Sequence, residues 1–267
     1  MTLSIVALRR ARLFSPGHVS HDWLILKETA DRLAALGHEV RFLEEETVGA
    51  TPPSGDVVLN MCQGPEANGR LCVAEGNGAL LVNRPSAALD CLRHRLLPKL
   101  QQAGVPIPES VEISSSDGLP SRPWPATWVK RSDVHATGPG DVVRAGSEDE
   151  ARDALAAFRE RGLRRAIVQE HLPGAVVKFY AVGTGFFHHL VTSGPRDVEV
   201  DLTLLRRRAR QCGDALGLDV FGGECVVTAD GRLPVIDVND WPSFAPCRGA
   251  AARAIASHVL EKARVAA

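Results

Sequence analysis

No Cys-x-x-Cys pair occurs in the 267-residue chain; the six cysteines stand apart at positions 62, 72, 91, 212, 225 and 247. That scatter argues against a zinc ribbon or a dense disulfide framework and fits a reduced, cytoplasmic protein. Neither sign of charge is in excess. The formal net charge is -1, which gives no overall pull toward nucleic acid or a membrane surface. No apolar run is long enough to span a bilayer, and the apolar start at residues 3–8 meets Arg9 and Arg10 too soon for a signal peptide. Nor does a Gly-x-Gly-x-x-Gly follow that first run, so a dinucleotide cofactor is not expected. Lysine is scarce: of 31 basic side chains only five are Lys, at 27, 99, 130, 178 and 262. In a chain that otherwise uses Arg, a Lys inside an apolar strand implies a need for a compact charge. Lys130 and Lys178 are the two such cases. The partner these absences leave is a small molecule.

What is present is an alternation of strands and helices. Residues 3–8 form a predicted strand, 22–36 a helix with Ser20 as N-cap and Gly37 just past its end, and 38–43 and 56–61 two further strands. This βαβ pattern predicts a parallel α/β unit whose ligands gather beyond the carboxyl ends of its strands. Arg9, Arg10 and His18 follow the first strand; they make either an anion site for substrate or an ordinary solvated loop. A helical stretch over 85–103, interrupted near Pro98 and stopped by Gly104, Pro106 and Pro108, opens a second region. The expected division is therefore 1–84 and 85–267, the latter in two parts of about 85–170 and 171–267.

Within the second region, a strand over 127–130 ends on Lys130 and runs into Arg131-Ser132-Asp133-Val134-His135-Ala136-Thr137-Gly138-Pro139-Gly140 before a strand at 141–143. Two strands joined by such a loop can lay backbone N–H groups along phosphates, with Lys130 as the point charge. A helix over 147–161 has Ser147 and Glu150 as a capping box and turns Ala151, Leu155 and Phe158 inward. A strand from residue 167 runs into a turn at Pro173-Gly174. Strands over 176–182, carrying Lys178, and 186–191 follow it. A helix over 201–216 stops at Gly217 and presents Arg206, Arg207, Arg208 and Arg210 as a solvated face; another over 247–263 closes the chain.

The most informative stretch is 221–244. Apolar runs flank Ala229-Asp230-Gly231-Arg232, a strong hairpin signal. A turn centred on Asp230-Gly231 sets Glu224 opposite Asp237, with Asn239 on the same face, while Cys225, Val227, Ile236 and Val238 make an apolar opposite face. Like charges directly opposed destabilise a sheet unless a cation or a shared proton lies between them. Two carboxylates and an amide oxygen on a rigid ribbon suit Mg²⁺. The alternative is a hairpin whose acids merely face solvent.

In order and spacing these parts resemble the ATP-grasp superfamily: the helix before Ala103-Gly104-Val105-Pro106, then Val129-Lys130, the Gly loop, Val168-Gln169-Glu170, Val177-Lys178, Gly223-Glu224 and Ile236-Asp237-Val238-Asn239. The resemblance spans essentially the whole chain. It implies a mixed α/β and α+β fold, with a Rossmann-like N-terminal domain followed by two subdomains closing on ATP. It further implies that Lys130 and Lys178 contact phosphate, that the Gly loop around Gly138 covers it, and that backbone groups of Glu170, His171 and Leu172 meet the adenine, with Gln169 beside them in the ATP site. Glu224, Asp237 and Asn239 would then hold magnesium. The family's first ATP-contacting lysine falls at Arg93 here, with Arg95 and Lys99 as the other cations within reach. The Lys130-to-His135 spacing and the two later segments look closer to the inositol trisphosphate 5/6-kinase type. That likeness implies phosphorylation of a hydroxyl on a small anionic substrate, with His135 guiding the nucleophile or gripping the substrate. The competing relative is the RimK and glutathione synthetase type of carboxylate-amine ligase, which works through an acyl phosphate but usually has Glu-x-Asn at the metal segment. A non-catalytic ATP-binding module is the third reading; three metal ligands are more than a binder needs.

Overall fold

The computed structural model describes residues 2–15, 19–49, 53–121, 124–195 and 197–266. Three four-stranded sheets organise it. The first is parallel, with β1 (Ser4–Arg9) between β2 (Glu39–Glu44) and β3 (Val57–Asn60), and β4 (Leu80–Val82) beyond β3. β1 is apolar on both faces because both are covered. Ile5 and Ala7 face α1 (Val19–Ala35) and α7 (Arg248–Ala266), in one core with Ile25, Leu33, Ile255 and Val259. Val6 and Leu8 face the other way and pack with Leu71 of α2 (Pro65–Gly76).

The second sheet has the order β5 (Ser110–Ser114), β8 (Arg165–Glu170), β6 (Thr127–Arg131), β7 (Val142–Ala145), all antiparallel. Helix α5 (Glu148–Glu160) lies on it through Ala151, Leu155 and Phe158. Its capping box forms, with Ser147 Oγ accepting from the Glu150 N–H at 3.2 Å and Glu150 accepting from the Gly146 N–H at 2.7 Å. The third sheet, β10 (Phe186–Ser193), β9 (Ala175–Val182), β11 (Val220–Val227), β12 (Val235–Asp240), is also antiparallel. Alternation splits β9 between two cores. Val177 and Phe179 pack with α6 (Leu202–Leu216), while Tyr180 and Val182 join the core of the first sheet.

The structure amends several sequence expectations. Helix α1 begins at Val19, so Ser20 lies inside it and is not its N-cap. The break in the 85–103 stretch falls between α3 (Pro85–Asp90) and α4 (Arg93–Gln102), at Cys91 and Leu92, and Pro98 sits inside α4. Ala87, Cys91, Leu96 and Leu100 of this stretch share a core with β9, β11 and α6. Helix α2 and strand β4 gave no usable sequence signal: α2 carries Gly69 and Gly76 and little apolar periodicity, and β4 has only three residues. All six cysteines are free. Among the described residues no helix is long and apolar enough to cross a membrane.

Candidate functional site

Glu224 of β11 pairs with Asp237 of β12, and Gly222 with Asn239, the register expected from the sequence. It is reached by an unexpected route. The turn spans four residues, with the Gly231 N–H donating to the Thr228 carbonyl at 2.8 Å, Gly231 at φ +76°, and the Thr228 N–H donating to Arg232 at 3.1 Å. This shifts the pairing by one residue, so that Cys225 opposes Val235. A bulge at Ile236 shifts it back before Asp237. The apolar face is corrected accordingly. Val235, not Ile236, joins Cys225 and Val238 in the buried core. The displaced Ile236 carbonyl instead accepts from Lys130 Nζ at 3.3 Å.

One row of side chains crosses the third sheet, because Lys178 of β9 pairs with Glu224, which pairs with Asp237. Lys178 Nζ lies 3.4 Å from Glu224 Oε1. Arg93, at the start of α4, reaches Asp237 Oδ2 at 3.5 Å and donates to the Arg131 and Val134 carbonyls. Asn239 Nδ2 lies 3.5 Å from the same Asp237 oxygen. Burial would raise the Asp237 carboxyl, but Arg93, Lys130 and His135 together hold it below its ordinary value. Lys130, 7% exposed, comes from the second sheet and also donates to Gln169 Oε1 at 2.7 Å. Burial pulls its pKa down to about 8, against the opposing pull of Asp237. Two carboxylates and an amide thus face three cations. Gly222 and Gly223 permit this closeness; a Cβ at Gly223 would meet the Asp237 carbonyl at 2.7 Å and Phe179 at 2.5 Å.

A cavity of about 380 Å³ opens beside the row, lined by Arg93, Lys178, Asp237 and Asn239 on one side and by Arg10, Asp22, Gln63, His135 and Asp240 on the other. The other two cations of α4, Arg95 and Lys99, turn to Asp90 instead, at 3.7 and 2.6 Å. His135 is buried at the cavity wall, and burial drives its pKa down to about 4, so it is neutral near pH 7. Arg10 is an interior clamp. Its guanidinium donates to the Met61, Asp240 and Trp241 carbonyls and to Asp22, leaving one of five N–H groups for a ligand. Arg9 pairs with Glu44 at 3.3 Å and lies over the Trp23 ring. The expected Arg9–Arg10 anion site is therefore largely spent on internal partners, and His18 lies outside the described residues.

The Gly loop is organised by Asp141, a residue the sequence did not single out. Its carboxylate accepts from the N–H groups of Thr137 at 2.7 Å and Gly138 at 3.1 Å and pairs with Arg131 and Arg161, so the Gly138 amide is already engaged. Gln169 bridges Lys130 to Ser110. The N–H groups of Glu170 and His171 donate to the Glu109 and Ala126 carbonyls. Asp22, Gln63 and Asp240 were also missed; only the unusual Asp240-Trp241-Pro242-Ser243 run could have flagged one of them. Among the described residues no three His, Cys, Asp or Glu side chains surround a common metal position; the trio here is two carboxylates and an amide.

No protein-family model matches the sequence, and no curated protein does. Solved structures do match. A RimK-domain ATP-grasp protein from Sphaerobacter thermophilus superposes with TM-score 0.73 at 22% identity, covering 96% of this chain and 100% of that one. The D-alanine–D-alanine ligase of Bacillus anthracis complexed with ATP gives 0.77 at 13%, covering 99% of both chains. The corresponding Coxiella burnetii ligase gives 0.73 at 14%, covering 99% and 97%. Identities this low speak to fold alone, and on that evidence the chain carries, over nearly its whole length, the ATP-grasp fold.

Proposed function

We propose that the protein is a Mg-ATP-dependent ligase that activates a carboxylate as an acyl phosphate and transfers the acyl group to an amine. The carrying observation is the row Lys178–Glu224–Asp237 with Arg93, Lys130 and Asn239 around it. In the ligand-free protein every charge in that row is held by one of opposite sign. The carboxylates can pass to Mg²⁺ and the cations to phosphate, so each charge changes partner and none is left bare in a poorly solvated site. Glu224, Asp237 and Asn239 are the residues that would hold Mg²⁺, which supplies charge neutralisation on the phosphates. Arg93, Lys130 and Lys178 hold the triphosphate. Gln169 and the segment through Glu170, His171 and Leu172 border the base, and the N-terminal parallel layer acts as the Rossmann-like domain of this fold.

Ligation takes the place of the kinase reading expected from the sequence. The enzymes named among the structural relatives above are D-alanine–D-alanine ligases, and that likeness supports ligation over phosphorylation of a hydroxyl. In the first step a substrate carboxylate oxygen attacks the γ-phosphorus and the bond to ADP breaks; Lys130 and Lys178 stabilise the charge that moves to the bridging oxygen. An amine nitrogen then attacks the acyl carbon, losing a proton as inorganic phosphate departs.

The test is to incubate the protein with Mg-ATP, hydroxylamine and a panel of carboxylic acids and look for hydroxamates. Hydroxamate formation is expected, and Asp237→Asn should lower it by at least about a hundredfold. The nucleotide-free melting temperature of that variant should shift by no more than a few degrees. A phosphate ester from an alcohol panel without any hydroxamate would return the reading to a kinase. Undiminished turnover in Asp237→Asn would remove the metal assignment.

A further inference from the structure

The cavity wall facing the cationic row has the opposite character. Asp22 and Asp240 line it, and Glu45, buried, stands behind; Arg10 is the guanidinium among them. Asp22 Oδ2 accepts from Arg10 at 3.0 Å and from Ser15 Oγ at 2.6 Å. Glu45 accepts from the N–H groups of Ala11, Gln63 and Gly64. Asp240 is less well served. Its Oδ1 accepts from Gln63 Nε2 at 3.1 Å, but Oδ2, fully buried, has no hydrogen-bond partner, and Arg10 Nη2 stays 4.0 Å away because it donates to the backbone instead.

Beside it, His135 has two ring nitrogens that are also buried and unpartnered, Nε2 standing 3.8 Å from Asp240 Oδ1. A buried polar atom without a partner costs on the order of 1–3 kcal/mol, and here such atoms share one cavity. The backbone sustains the arrangement at further cost: Trp241 and Phe244, just beyond Asp240, both hold positive φ, 37° and 50°, which bulky side chains rarely adopt.

What is missing is a donor carrying positive charge. A hydroxyl or amide would fill the hydrogen bonds but leave the carboxylate excess, and a divalent cation would have to strip Arg10 of its partners. A primary ammonium offers three N–H donors to three acceptors. We propose that this wall is the seat of a primary ammonium group on the acceptor substrate, held by Asp240, Asp22 and a His135 ring nitrogen. The inference deepens the ligase reading and rests on it: the carboxylate is phosphorylated against the Lys178 wall while the amine waits, protonated, against the Asp240 wall, and its nitrogen gives one proton to water before it attacks the acyl carbon and a second to the departing phosphate.

The test uses full-length protein labelled with ¹⁵N-histidine, the His135 signals being assigned by their loss in His135→Gln. A panel of amino-acid amides is titrated against their N-acetylated counterparts. The amides should shift the His135 ring resonances, the N-acetyl compounds should not, and Asp240→Asn should weaken amide binding by at least about tenfold. Equal shifts from both sets, no shift from either, or undiminished affinity in the variant would overturn the seat. Should Asp240→Asn fail to fold, the contrast between amides and N-acetyl compounds on the wild type decides alone, with Asp22→Asn as the second variant. The hydroxamate assay separates the two readings. Hydroxamates without amide binding leave the ligase and remove the seat; amide binding without hydroxamates keeps an ammonium site and removes the ligase.

Discussion

Lys130 shows how a single residue can report on ligand. Its pKa of about 8 lies well under the ordinary 10.5 because the ammonium is buried. Between those values the unfolded chain holds a proton that the folded, ligand-free chain has lost, so folded stability rises with pH across that window. On the proposed reading, phosphate beside the ammonium would restore the charge. ATP binding is therefore expected to take up protons above pH 8 and to weaken as pH rises past it. Calorimetry in two buffers of different ionisation heat checks the uptake, and Lys130→Arg, whose charge does not titrate there, should flatten the dependence. Asp141 carries the opposite sign. Burial would raise its carboxyl, but Arg161, the Thr137 N–H and Arg131 bring it down to about 2 from 3.8. Its contribution is present above the ordinary value and lost as pH falls toward 2, worth about 2 kcal/mol. Asp141→Asn should cost roughly 2–4 kcal/mol at neutral pH and loosen the loop, read as lost hydrogen-exchange protection at Thr137 and Gly138.

At the scale of elements, the β11–β12 hairpin governs the site. Its turn and its Ile236 bulge are two errors of register that cancel, which puts Glu224 and Asp237 side by side and hands the Ile236 carbonyl to Lys130. Gly223 is the point of least tolerance. A methyl there meets backbone as well as a ring edge, so Gly223→Ala should destabilise by about 1–3 kcal/mol and disturb Glu224 and Asp237 with it. Thermal melts with and without Mg-ATP measure both effects. If the nucleotide raises the melting temperature of the variant as much as that of the wild type, the hairpin does not position the ligands.

Across the whole molecule, Arg10 ties the parallel layer to β12 of the third sheet. It leaves the end of β1, touches Met61 after β3, and donates to Asp240 and Trp241 at the end of β12. Trp241 Nε1 donates to the Val82 carbonyl at 3.1 Å in the same seam. Arg10→Met should strand Asp22 and three carbonyls and cost about 3–5 kcal/mol, visible in denaturant unfolding.

The sequence alone determined what depends on periodicity and short-range turn chemistry. It carried the parallel unit, most strands and helices, the capping box, the hairpin, and the pairing of Glu224 with Asp237, though the last came out right through a turn and a bulge that no spacing reveals. It also marked Lys130 and Lys178, because rarity of Lys is a property of composition. Only the tertiary structure decided which cation near residue 93 turns inward, since Arg93, Arg95 and Lys99 share one helix and differ in what stands opposite. Only it turned Arg10 from an anion ligand into a clamp and brought Asp22, Gln63, His135 and Asp240 to one wall. Those residues lie far apart in the chain, and the charge each meets is set by packing between layers.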